Sequence, residues 1–362
     1  MRLIKLFIFI ITITVSISVA SAQSLYYNIE FETFLQNREY NNIEFLKGRS
    51  GTDAAARLTP SLGLKFEKNH SLNLGINAIS LFTNTKEPII KDIDMVLYYG
   101  FDNEHWSASA GLFPRSRMAI ESYSNAFFRD DYLFFNNMIG GIMGQYKCGN
   151  SFAEFIIDWE SQPTTTTREI FRMLSAGRKH WSNFMIGYNF SLTHYAGQEA
   201  QWLKQVVDNM LVNPSIGYST NTKLKFKTSL GYLQSLQRDR GFENKWLAPG
   251  MGELRLQLSY CGIFVKNNTY IGKNIEPLYN GNIAPDNTII YYGDALYTGD
   301  ECFRTEGGYY NRLSFGYIKT LLKGKLDLKA EFTTHFIEEG IASEQLISVR
   351  LNLMDTFKHK KR

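Results

Sequence analysis

Residues 326–333 read LDLKAEFT, and every second residue in this stretch is apolar. Leucine, alanine and phenylalanine occupy the even-numbered positions, whereas aspartate, lysine, glutamate and threonine occupy the odd-numbered ones. Because successive side chains of a β-strand point to opposite faces, this alternation predicts a strand with one apolar and one polar face.

The same alternation recurs along most of the chain, and polar breaks separate the stretches that carry it. It predicts sixteen strands, an even number, near residues 25–32, 57–66, 72–78, 92–101, 106–112, 138–147, 151–160, 169–178, 181–193, 206–218, 223–235, 252–260, 263–272, 308–319, 325–336 and 346–357. The stretches 169–178 and 206–218 alternate least clearly, so a count of fourteen strands stays open.

The connections between these strands alternate in length. Short ones fall at 67–70, 102–105, 147–150, 179–180, 219–222, 261–262 and 320–324, and long ones include 36–53, 113–137, 160–168, 194–205, 236–251 and 273–307. A soluble β-sandwich has no reason to alternate its loop lengths, but a transmembrane barrel has short periplasmic turns and long extracellular loops. The sequence therefore predicts an all-β fold, a transmembrane antiparallel up-and-down β-barrel.

The N-terminus carries the features of a secretory signal peptide. Arg2 and Lys5 precede an apolar run, and small residues end at Ala22. We expect residues 1–22 to be removed after Ala22, residues 23–357 to form the barrel, and residues 358–362 to form a basic tail. Such a chain is exported to the cell outer membrane.

Composition excludes several other classes. Charged residues make up 20% of the chain and the formal net charge is +4, which is too balanced for a nucleic-acid partner. A mean hydropathy of −0.24 argues against a bundle of membrane-spanning helices. Cys148, Cys261 and Cys302 show no metal-ligand spacing, so a free thiol or one bridge is expected, with no metal and no cofactor.

The last predicted strand resembles the C-terminal strand of Gram-negative outer-membrane β-barrels. It alternates apolar residues from Ile347 to Leu353 and ends at the aromatic Phe357. The resemblance implies recognition by the barrel-assembly machinery. The tail 358–362 departs from the family pattern, in which the aromatic is commonly the final residue.

In length and strand count the whole chain resembles the porins, whose third long loop folds into the lumen. The resemblance implies a channel for passive diffusion of small hydrophilic solutes in an outer membrane, and porins are often homo-oligomers. Loop 113–137 would then narrow the lumen with Arg115, Arg117, Glu121, Arg129, Asp130 and Asp131. The polar strand faces would line the lumen wall with Asp94, Glu154, Asp158, Lys225, Lys227, Arg255, Arg312, Lys329, Glu331 and Arg350. A solvated extracellular loop is the other interpretation of 113–137.

Two other functions stay open. Long loops folded over the mouth would favour a plugged surface barrel for ligand binding or for polysaccharide assembly or export. An outer-leaflet lipid hydrolase would need a histidine and a serine on the lipid-facing side, and His194 and His335 lie near the outer rim. Ser191 precedes His194 at odd spacing and therefore faces the opposite side. We expect no enzyme and assign no catalytic residue.

Overall fold

The computed structural model describes residues 24–82, 90–165, 167–196, 206–220, 222–241, 244–281 and 291–357. Within these residues, sixteen antiparallel strands form one closed barrel in which every strand pairs with its sequence neighbours. The strands are β1 Ser24–Glu39, β2 Gly51–Phe66, β3 His70–Leu81, β4 Asp92–Asp102, β5 Trp106–Pro114, β6 Met138–Cys148, β7 Ser151–Ser161, β8 Ile170–Trp181, β9 Phe184–Tyr195, β10 Val207–Ser219, β11 Lys225–Asp239, β12 Gly250–Tyr260, β13 Ile263–Gly272, β14 Tyr309–Leu321, β15 Leu326–Ile337 and β16 Gly340–Thr356.

The helices of the described residues are all short. Two are α-helical, Asp130–Phe135 and Gly293–Leu296, and five are 3₁₀ turns, Glu44–Arg49, Arg115–Arg117, Ile120–Ser122, Glu301–Arg304 and Leu322–Gly324. In this part of the chain, none has the length and apolar character needed to cross a membrane.

The predicted strand count of sixteen is confirmed, including the two least regular stretches, which form β8 and β10. The predicted signal peptide, residues 1–22 with its cut after Ala22, and the basic tail 358–362 lie outside the described residues. Directly after the C-terminal end of β16, the ring of Phe357 packs edge-to-face on Tyr27 of β1, with 5.5 Å between the ring centroids.

The barrel closes because β1 pairs with β16 along fourteen residues. In a bilayer every backbone N–H and C=O must be paired within the protein, and a closed sheet leaves no free edge. The outward positions carry the apolar belt that lipid requires. Leu72, Leu74 and Ile76 of β3 are 40–49% exposed, while Asn73 and Asn77 on the other face of the strand point inward and are buried. The chain is an outer-membrane β-barrel.

Aromatic side chains stand at strand ends on the outer surface, as in the interface girdles of membrane barrels. Trp106 and Tyr260 at the turn side and Tyr309 at the loop side are exposed. Tyr26 and Tyr310 also lie near strand ends, but they occupy inward positions and are buried.

Eight connections lie at the outer rim, of which we name loop 1 (residues 40–50), loop 3 (residues 115–137) and loop 7 (residues 273–308). The last of the eight departs from the predicted length pattern, because β16 begins at Gly340 and leaves only residues 338–339 as a tight turn. Loop 7 rests on this turn. The Glu339 carboxylate accepts hydrogen bonds from Thr305 Oγ1 at 2.6 Å and from the Glu306 backbone N–H at 2.8 Å.

Candidate functional site

Loop 3 runs through the interior of the barrel. Ser116 Oγ donates a hydrogen bond to Glu30 of β1 at 3.0 Å. Arg117 reaches Asp102, at the periplasmic end of β4, with an N–O distance of 3.0 Å. On the other side of the lumen, Arg178 of β8 donates to the backbone carbonyl of Ser122 at 2.6 Å. The interpretation of 113–137 as a solvated extracellular loop is therefore wrong.

Arg115 fixes the point where loop 3 leaves the wall. Its guanidinium lies 2.7 Å from the Asp158 carboxylate of β7, and both side chains are 2% exposed. It also donates to the backbone carbonyls of Asn136 and Met138, at the other end of the loop. One arginine thus joins the two ends of loop 3 to the barrel wall.

The returning half of loop 3 packs on β1 and β2 through the helix Asp130–Phe135. The ring of Phe134 stacks on Phe34 of β1 at 4.8 Å, and Arg57 of β2 donates to the Phe134 carbonyl at 2.7 Å. Several other aromatic residues of the loop are buried in a separate, larger core: Tyr123, Phe127, Phe128 and Tyr132.

Loop 7 lies against loop 3. The backbone N–H of Arg129 donates to the Thr298 carbonyl at 2.8 Å, and that of Asp300 donates to the Asn125 carbonyl at 2.7 Å. Gly299 stands between these contacts, and a Cβ there would lie 2.2 Å from the carbonyl oxygen of Ala126. Glycine allows the two loop backbones to touch at this point.

A cavity of about 40 Å³ lies where loops 1, 3 and 7 meet the wall formed by β1, β14 and β16. Its lining includes four arginines and five acidic residues: Arg38, Arg49, Arg129, Arg312, Asp130, Asp131, Asp300, Glu301 and Glu344. Since one water needs roughly 10–15 Å³ of this kind of volume, the cavity has room for a few water molecules.

Opposite charges face one another across this cavity. Arg38 of β1 lies 3.2 Å from Asp131, and Arg129 lies 2.9 Å from the same carboxylate. Arg49 of loop 1 lies 2.8 Å from Glu301 of loop 7. Burial raises the pKa of the Glu301 carboxyl to about 7, although Arg49 and Arg129 act in the opposite direction. The charge of the cavity therefore changes near neutral pH.

The six residues predicted for the constriction separate into two groups. Arg129, Asp130 and Asp131 line the cavity. Arg115 holds the base of the loop, Arg117 reaches the periplasmic end, and Glu121 lies in the 3₁₀ turn Ile120–Ser122, so these three do not line it.

All ten residues predicted for the lumen wall stand at inward positions of their strands. Arg312 lines the cavity. Two of the others contact loop 3, since Asp158 pairs with Arg115 and Glu154 accepts a hydrogen bond from the Ala119 N–H. The rest have partners within the wall: Asp94 accepts from Asn77, Lys329 pairs with Glu331, Arg255 with Glu253, and Arg350 with Glu32. Lys225 and Lys227 are exposed at the periplasmic end of β11.

Of the nine charged residues that line the cavity, sequence reasoning missed five: Arg38, Arg49, Asp300, Glu301 and Glu344. Arg38 and Glu344 lie beyond the predicted ends of their strands, and extending the alternation by six residues after Glu32 and by two residues before Leu346 would have found them. Glu301 lies in an irregular loop, where no periodicity tells which way a side chain points.

A separate polar cluster lies on the outer surface near the extracellular ends of β9, β10 and β11. Asp208 of β10 accepts a hydrogen bond from His194 Nδ1 at 2.9 Å. Its other oxygen lies 3.1 Å from Arg238 and 2.7 Å from Arg240. The face follows from the neighbours, since Asn209 donates to the carbonyl of Leu296 inside the barrel and Asp208 therefore points outward.

His335 differs from His194. It was predicted to lie near the outer rim, where a lipid hydrolase would need it, but its side chain is fully buried inside the barrel. It occupies an odd-numbered position of β15, on the same inward face as Glu331 and Thr333. His335 is thus excluded from the lipid-facing surface.

The family described as lipid A 3'-O-deacylase-type matches residues 17–244 of this sequence. No curated protein matches the chain. Among solved structures it is similar to a loop L8 deletion mutant of OmpT, an outer membrane protein of Vibrio cholerae, at 8% identity and a TM-score of 0.55, with 91% of this chain and 99% of that chain covered.

Two further solved structures are similar at lower scores. They are OprD from Pseudomonas aeruginosa (10% identity, TM-score 0.47, 93% of this chain and 96% of that chain) and an anion-selective porin from Comamonas acidovorans (8% identity, TM-score 0.48, 91% and 99%). The likeness to OmpT concerns the fold, and it agrees with an outer-membrane barrel.

We predict that Arg115→Ala lowers the free energy of unfolding by about 3–5 kcal/mol, because it leaves the Asp158 carboxylate buried without its partner. Urea titration of the protein in phospholipid vesicles measures this change. Arg350→Ala is the matched control: its ion pair with Glu32 is exposed on the arginine side, so about 0–1 kcal/mol is expected. Equal effects of the two substitutions would contradict the anchoring role of Arg115.

Proposed function

This chain belongs to the lipid A 3'-O-deacylase-type family, and from the charged cavity inside its barrel we propose that it is a narrow, porin-like channel. Its permeants would be ions and small hydrophilic solutes that diffuse passively across the outer membrane. The observation that carries the proposal is the arrangement of four arginines and five acidic residues around one cavity at the meeting point of loops 1, 3 and 7.

The width of the barrel supports this proposal. A barrel of roughly sixteen strands is too wide for its wall side chains to fill, so it encloses an aqueous lumen unless other segments enter it. Here loops 3 and 7 enter, and the cavity that remains beside them is polar and charged. Opposed charges across such a path order water and select solutes by charge and size.

The small size of the cavity limits the permeants. With room for only a few waters, passage of anything larger than a hydrated ion requires the side chains of the lining to move. Of the charged residues that line the cavity, Arg49 is the most exposed, at 36%, and it pairs at 2.6 Å with Asp294, which lies outside the lining and is 41% exposed. We place the entrance of the path beside this ion pair.

We predict that the ion selectivity of the channel changes near pH 7. Raising the pH through this value ionises Glu301 and adds one negative charge to the constriction, so the reversal potential under a salt gradient should shift toward cation selectivity. Lowering the pH should shift it toward anion selectivity. Planar-bilayer recordings between pH 5 and pH 9 measure the shift.

Glu301→Gln should remove most of this pH step, whereas Glu121→Gln, which changes a carboxyl away from the cavity, should retain it. A step that survives in Glu301→Gln would contradict the assignment of Glu301 to the conducting path. A folded wild-type protein that admits no small sugar in liposome-swelling assays and passes no current would instead favour the plugged surface barrel.

The His194 cluster favours a second candidate function, hydrolysis of an outer-leaflet lipid. His194 and Asp208 form a dyad on the lipid-facing side, and both lie inside the region that the family matches. Asp208 would orient the imidazole so that Nε2 takes a proton from water, which attacks an ester and releases a fatty acid and an alcohol. Arg240, 46% exposed, would face lipid phosphate.

The neighbours of His194 limit this candidate. Its partners across the ladder on the same face are Phe171 and Asp208, and neither carries a hydroxyl. Ser191 lines a small cavity inside the barrel, on the opposite face. Among the described residues, the arrangement therefore supports water rather than a serine as the nucleophile. We rank lipid hydrolysis below the channel as a function of this protein.

If the barrel hydrolyses lipid, His194→Ala and Asp208→Asn should each reduce fatty-acid release from lipopolysaccharide micelles by at least about 100-fold, the usual contribution of a general base. His105→Ala, at an exposed periplasmic turn, is the control and should leave the rate unchanged. The absence of fatty-acid release from wild-type protein would dismiss this candidate and leave the channel untouched.

A further inference from the structure

Three side chains of types that bind transition metals meet inside the barrel. Asp300 and Cys302 come from loop 7, and His335 comes from β15. One ligand atom from each lies within 4.8 Å of the other two. Asp300 is 6% exposed, and Cys302 and His335 are fully buried. Sequence spacing did not reveal this set, because loop 7 brings its residues to β15 only in the folded barrel.

Loop 7 holds the first two ligands in a fixed geometry. Asp300 precedes the 3₁₀ turn Glu301–Arg304, and its Oδ1 accepts a hydrogen bond from the Cys302 N–H at 3.0 Å. Tyr310 of β14 donates to the other oxygen of Asp300 at 3.0 Å. The Tyr310 ring also stacks on the imidazole of His335 at 5.8 Å. Both Asp300 and Cys302 are thereby held against the barrel wall.

The imidazole of His335 lies between two carboxylates. Its Nδ1 lies 3.6 Å from Asp300 and 2.8 Å from the Tyr310 hydroxyl, and its Nε2 lies 3.4 Å from Glu344 of β16. The buried thiol of Cys302 is enclosed beside Asp300 and His335. An apolar pocket is the usual surrounding of a structural buried cysteine, so this environment needs another explanation.

We propose that Asp300, Cys302 and His335 bind a divalent transition-metal ion, with water in the fourth position. Thiolate and imidazole together favour zinc over magnesium or calcium, which prefer oxygen ligands. Binding releases the thiol proton of Cys302 to solvent, since the thiolate is the ligand. Zinc bonds of about 2.0–2.3 Å require the ligand atoms to approach one another by rotation of their side chains.

The ion would join loop 7 to β15. Asp300 also lines the charged cavity, so an ion at this site neutralises part of its negative charge. The metal site does not depend on the transport function, because it rests on the ligand set alone.

The test is metal binding by the folded, detergent-solubilised mature chain. After removal of metals with a chelator, wild-type protein should bind one equivalent of Zn²⁺ by equilibrium dialysis. With Co²⁺ it should show a thiolate-to-metal charge-transfer band in the near ultraviolet. Cys302→Ser and His335→Gln should lose the band, whereas Cys148→Ser and Cys261→Ser, which change exposed thiols, should keep it.

A measurement on the wild-type chain guards against variants that fail to fold. Zn²⁺ should slow alkylation of Cys302 in partly denatured, detergent-bound protein by at least about tenfold, while alkylation of Cys148 and Cys261 stays unchanged. Binding of less than one equivalent of zinc by folded wild-type protein, or a cobalt band that persists in Cys302→Ser, would overturn the proposal.

Discussion

Closure of the hydrogen-bond ladder between β1 and β16 determines the rest of this molecule. A membrane offers no partner for an unpaired strand edge, so the sheet must close on itself. With sixteen strands it closes at a width that the wall side chains cannot fill. The inward faces carry arginines and carboxylates that need partners away from bulk water. Loops 3 and 7 provide them through the Arg115–Asp158 pair, the Arg178 contact with Ser122, and the pairs around the cavity.

The strands could be predicted from the sequence because their signal is local. Alternation at a period of two marks each strand and assigns each side chain to a face. It gave the right face for residues as far apart as Asp94 and Arg350. It failed at strand ends, where Arg38 and Glu344 continue the pattern beyond the predicted boundaries. The tight turn at 338–339 was missed for the same reason.

The interior of the barrel could be predicted only in part. The entry of loop 3 into the lumen is an expectation from the porin resemblance, and in the structure Asp130 and Asp131 of this loop line the cavity. Loop 7 carries no periodicity, so its contacts with loop 3 at Gly299 had no sequence signal. The burial of His335 did have one, since it shares the parity of Glu331.

Family membership and the charged cavity rest on different parts of the chain. The family match ends at residue 244, and it includes the His194 cluster on the outer surface. Loop 7, β14 and β16 follow that region and contribute Asp300, Arg312 and Glu344 to the cavity. The C-terminal third of the chain therefore completes both the barrel wall and the constriction. This division explains why the family name and the lumen point to different chemistry.

In the proposed channel, loops 3 and 7 narrow an open lumen rather than seal it. Single-channel conductance in planar bilayers distinguishes the two arrangements when the refolded chain 23–362 is compared with a variant that lacks residues 116–136. We expect small, steady openings for the complete chain and severalfold larger openings for the variant. Silence from the folded complete chain, with conductance only in the variant, would contradict it and would show a sealed barrel.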